Sequence, residues 1–83
     1  MDTQIAEKLR EAQTLVDILN SGRTKELMFV FACVDQLLKV RSQLANILHT
    51  FKGETGSNEY IHIASVIDMA NTMISKYGYE DKL

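Results

Sequence analysis

The chain contains no proline, no tryptophan and a single cysteine, Cys33, among its 83 residues. Proline breaks helix interiors because it lacks the backbone N–H and clashes with the preceding turn, so a chain without it can form long helices throughout. A lone cysteine excludes an intramolecular disulfide and is typical of proteins kept in a reducing compartment. We therefore expect a cytoplasmic protein that is stabilised by packing.

Basic charge and long apolar segments are also lacking. Nine Lys and Arg against 11 Asp and Glu give a formal net charge of −2, which does not match the basic surface of a nucleic-acid-binding protein. The longest apolar run, residues 27–34, is far shorter than the roughly 18–20 residues that span a bilayer. The first residues include acids and no apolar signal-peptide segment, so we expect neither a membrane span nor a secretory signal.

The composition that remains is that of an ordinary globular domain, with 46% hydrophobic and 24% charged residues. The length allows one core and therefore one domain. Below roughly 70–80 residues a single core rarely supplies more than about 3–5 kcal/mol. At 83 residues we expect association to supplement the stability of the single chain.

Three segments have apolar residues spaced three and four apart, the pattern of an amphipathic helix. We predict helices at about 4–20, 24–51 and 59–77, a loop at 52–58 and a short charged tail at 78–83. The apolar stripes consist, in order, of Ile5, Leu9, Ala12, Val16 and Leu19; of Leu27, Val30, Phe31, Val34, Leu37, Leu38, Leu44, Ala45, Ile47, Leu48 and Phe51; and of Tyr60, Ile63, Ala64, Ile67, Ala70, Ile74 and Tyr77. Thr24 is a candidate cap for the second helix, and Gly22 a left-handed stop for the first.

The predicted fold is all-α, an up-down-up assembly of three helices, because short connections make consecutive helices antiparallel neighbours. A buried strand is the alternative for residues 27–34, since Phe and Val favour sheets, but no second strand-like segment exists to pair with it. The predicted second helix is about 40 Å long against about 25–30 Å for the others. That difference leaves apolar surface at its ends and favours an oligomer built through this central helix.

The start of the second helix is apolar on every side. A helix in a small monomer buries one stripe, so some of these side chains must contact another copy of the chain or a different protein. The predicted oligomer interface consists of Leu27, Met28, Phe29, Phe31 and Ala32.

Arg41 is the most unusual single residue, because about 100° per residue places it in the middle of the second stripe. A guanidinium there needs a partner, solvent or a ligand. The structural interpretation is that its stem packs and its head pairs with Asp68 or Glu59 of the third helix, or with another copy. The functional interpretation is contact with an anion or ligand.

Three tyrosines, Tyr60, Tyr77 and Tyr79, frame the third helix. They can anchor an interface or stack on a ligand, although tyrosines near helix ends more often pack their ring and leave the hydroxyl in water. The methionines Met28, Met69 and Met73 can likewise form an adaptable binding surface, but packing is the commoner role. We therefore treat Arg41 and the tyrosines as candidate partner or ligand contacts.

No residue pattern predicts catalysis, a metal or a cofactor. His49, His62 and Asp68 lack the spacing of four on one helix that marks a zinc site, and no second cysteine is present. An apolar neighbourhood raises the pKa of a thiol and makes it less reactive, which favours a structural role for Cys33. The loop at 52–58 contains two glycines but lacks the phosphate-binding GxxxxGK[ST] motif and follows a helix.

Two functional hypotheses remain. The first is a non-enzymatic interaction protein that assembles through its second helix and inhibits or remodels a partner protein; chains of this size are common among bacterial and phage regulators. Its partner surface would be the outer side of the third helix with the adjoining loop and tail. The second is an oligomer that sequesters a small anionic ligand, such as a nucleotide, at subunit junctions lined by Arg41 and tyrosines.

Overall fold

A computed structural model shows three helices: α1 (Thr3–Ser21), α2 (Leu27–His49) and α3 (Asn58–Lys76). The structure describes residues 3–22, 26–51 and 56–77. About 90% of these residues are helical and none is in a strand, which confirms the prediction of an all-α fold. Of the three helices, none is both long and apolar enough to cross a membrane.

The end of α1 and the start of α2 have different capping arrangements. After Ser21 the backbone turns at Gly22, whose φ of 68° lies in the left-handed region that glycine adopts without strain. α2 begins at Leu27, later than the sequence predicted, and Glu26 precedes it in an extended conformation without a side-chain capping hydrogen bond. Thr24, the predicted cap, lies outside the described residues.

The helix lengths are more even than the sequence predicted. α2 has 23 residues and ends at His49, whereas α1 and α3 have 19 residues each. At about 1.5 Å per residue these lengths are about 35 Å and 29 Å. The length difference is therefore about 6 Å, and it supplies less exposed surface for oligomerisation than the sequence suggested.

One hydrophobic core is shared by all three helices, each of which packs against the other two. Among the described residues every buried side chain is apolar. The buried residues are Leu9, Ala12, Val16 and Leu19 of α1; Val30, Cys33, Val34, Leu37, Val40 and Leu44 of α2; and Ile63, Val66, Ala70, Met73 and Ile74 of α3. The α1 set matches the predicted stripe except that Ile5, at its start, is half-buried.

The buried face of α2 is rotated from the predicted stripe. Leu27 and Phe31, which the sequence placed in that stripe, are 64% and 43% exposed. Cys33 and Val40, which it left out, are buried. The reason is that residues 27–34 include no polar side chain, so the first two turns do not mark the side of the helix that faces water.

Two polar contacts fix α1 against α2. Lys8 Nζ donates a hydrogen bond of 2.9 Å to Gln43 Oε1, and Gln36 Nε2 donates one of 3.0 Å to Glu11 Oε1. Both pairs are exposed, so each contributes little to stability. They join the two helices at the surface of the bundle.

The start of α3 is capped by Ser57. Its side-chain oxygen accepts a hydrogen bond of 3.2 Å from the backbone N–H of Tyr60, so one of the four unpaired N–H groups of a helix start is satisfied. Glu59 in the first turn and Lys76 in the last turn also match the signs of the helix dipole.

We expect Ser57→Ala to lower the free energy of unfolding by about 1 kcal/mol, because the Tyr60 N–H loses its acceptor. Ser57→Asn is the matched control: it retains a capping oxygen and should change stability by only a few tenths of a kcal/mol. Urea unfolding followed by circular dichroism measures both. Equal losses in the two variants would show that the cap does not contribute.

Candidate interaction surface

The largest group of exposed apolar side chains lies at the start of α2. Leu27 is 64% exposed, Met28 76%, Phe29 46% and Phe31 43%, and Ala32 is exposed with them. We call these five residues the α2 patch. They are the five residues that the sequence predicted as an oligomer interface; all five are exposed in the structure, Phe29 and Phe31 only in part, and their association stays a prediction.

The patch wraps round the side of α2 that faces away from the core. Val30, Cys33 and Val34 point inward on these turns. At about 100° per residue, Met28 lies almost opposite the centre of the buried face, with Phe31 to one side of it and Ala32 to the other. Met28 and Ala32 therefore face away from the chain's own core.

Arg41 is half-buried at the edge of the core instead of in the middle of the buried stripe, because the rotation of α2 places Val40 inside. Its Nη1 donates a hydrogen bond of 3.0 Å to Oδ1 of Asn71 in α3. The sequence predicted a partner on the third helix but considered carboxylates and not this amide. Because Asn71 carries no charge, its bond to Arg41 is not a buried ion pair.

We expect the part-buried hydrogen bond between Arg41 and Asn71, which Arg41→Met removes while keeping most of the stem's packing, to contribute about 1 kcal/mol to the free energy of unfolding. Replacing one side of a buried ion pair would instead cost about 3–5 kcal/mol. Asn71→Leu and the double variant complete a cycle, whose coupling energy should be about 0.5–1 kcal/mol. The absence of coupling between the two positions would contradict this role.

The two described tyrosines have different partners. The hydroxyl of Tyr77 donates a hydrogen bond of 2.9 Å to the carbonyl oxygen of Leu19 at the end of α1. The ring of Tyr60 packs against Phe51, with 5.7 Å between ring centroids and an interplanar angle of 58°. Tyr79 lies outside the described residues.

Of these candidate contacts, Tyr60 and Tyr77 lie at opposite ends of α3. Tyr60 and Tyr77 are 17 positions apart along α3, which corresponds to about 25 Å along the chain at 1.5 Å per residue. Asn71, the partner of Arg41, lies between them.

The sequence did not single out Ile61, a 54% exposed residue in the second turn of α3. The indication in the sequence is an isoleucine between Tyr60 and Ile63, next to the predicted apolar stripe but not part of it. Near this end of α3 a shallow groove of about 300 Å³ is lined by Ala45, Leu48, His49, Tyr60 and Ile67. The groove lies between α2 and α3, whereas Ile61 is exposed on the outer side of α3.

Side chains with potential for catalysis or metal binding are dispersed. His49, His62 and Asp68 are exposed, and among the described residues no three His, Cys, Asp or Glu side chains are arranged to hold a metal ion. Burial raises the pKa of the Cys33 thiol above its ordinary value, which lowers the fraction of reactive thiolate at neutral pH.

Comparison of the chain with protein-family models, with curated proteins and with solved structures gave no match. The exposed apolar residues of the helices, above all the α2 patch and Ile61, are therefore the candidate interaction sites.

Proposed function

We propose that the chain is a small, non-enzymatic, cytoplasmic interaction protein. It associates with itself through the α2 patch, and it binds and inhibits or remodels a partner protein through the outer side of α3 with the adjoining loop and tail. One observation carries this proposal. Among the described residues the exposed large apolar side chains are concentrated on these two surfaces, four on the α2 patch and one, Ile61, on α3.

The proposal includes an up-down-up order of the helices, which contacts at both ends of the bundle support. Lys8, near the start of α1, meets Gln43, near the end of α2. Tyr77, which follows α3, meets Leu19 near the end of α1. In this order the start of α2 and Ile61 belong to opposite ends of the bundle.

Affinity purification of the tagged protein from its native cell, read by mass spectrometry, tests partner binding. Ile61→Lys places a charge in the proposed contact, and Ser65→Lys, at an exposed position of the same helix, is its matched control. We expect the wild type and Ser65→Lys to recover one dominant protein and Ile61→Lys to lose it. Equal recovery by all three, or no specific recovery by the wild type, would contradict the proposed function.

Sequestration of a small anionic ligand is the alternative function, and a binding experiment can distinguish it from partner binding. Binding to the folded state raises the melting temperature by mass action, so a thermal-shift panel of mononucleotides and cyclic dinucleotides detects it. We expect no shift, because Arg41 already donates to Asn71 and the described tyrosines lie far apart along α3. A shift that grows with ligand concentration and is lost in Arg41→Met would replace the proposed function by this one.

A further inference from the structure

We draw no further inference here: the strongest candidate, the apolar surface patch formed by Leu27, Met28, Phe29, Phe31 and Ala32 at the start of α2, carries none because nothing in the structure shows what covers it.

Discussion

Val40→Asp should leave the chain unfolded at room temperature, whereas Ser42→Asp, two positions further along α2, should leave it folded. Val40 is completely buried, and the described core contains no polar group that could pair with a carboxylate. Burying an unpaired charge costs several kcal/mol, which is most or all of the roughly 5–10 kcal/mol available to a domain of this size. Ser42 is exposed, so a carboxylate there stays in water.

Far-UV circular dichroism and urea unfolding of the two variants measure this difference. It tests the rotation of α2 directly, because the stripe predicted from the sequence contains Arg41 and not Val40. If both variants fold equally well, the buried face of α2 is not the one that the structure shows.

Ile74→Ala should lower the free energy of unfolding by about 2–5 kcal/mol, the usual cost of removing a large buried aliphatic side chain and leaving a cavity. Ile74 is completely buried in α3. Ile61→Ala in the same helix removes the same atoms from a side chain that is 54% exposed, and we expect a change of less than about 0.5 kcal/mol.

The two isoleucines thus separate stability from binding. Thermal and urea unfolding should distinguish them clearly, with Ile74→Ala as the destabilised variant. In the affinity purification Ile61→Ala should recover less partner although it folds like the wild type, because the apolar contact is lost. A similar stability loss in both variants would mean that Ile61 is part of the core.

The fold could be predicted from the sequence because three patterns agree. Apolar spacing, the lack of proline and the glycine at the end of the first helix all indicate helices. α1 was predicted almost residue by residue, since Leu9, Ala12, Val16 and Leu19 stand out against polar neighbours. The predicted buried face of the second helix was wrong by a rotation about the helix axis. Its first two turns contain no polar residues that would mark the side facing water.

The candidate site could be predicted only in part, for the same physical reason. The five residues of the α2 patch followed from the rule that one helix buries one stripe, and the structure leaves them exposed. Asn71 as the partner of Arg41 could not be predicted, because side-chain pairing between helices depends on their relative rotation. Ile61 was missed because a single apolar residue off the stripe carries no signal by itself.

Intermolecular nuclear Overhauser effects in a mixed sample, half isotope-labelled and half unlabelled, test the self-association most directly. At concentrations near 1 mM we expect contacts between side chains of the α2 patch of one copy and side chains of the α2 patch of another, the Met28 methyl group among them. A folded protein that shows no intermolecular contacts at the α2 patch under these conditions would contradict it.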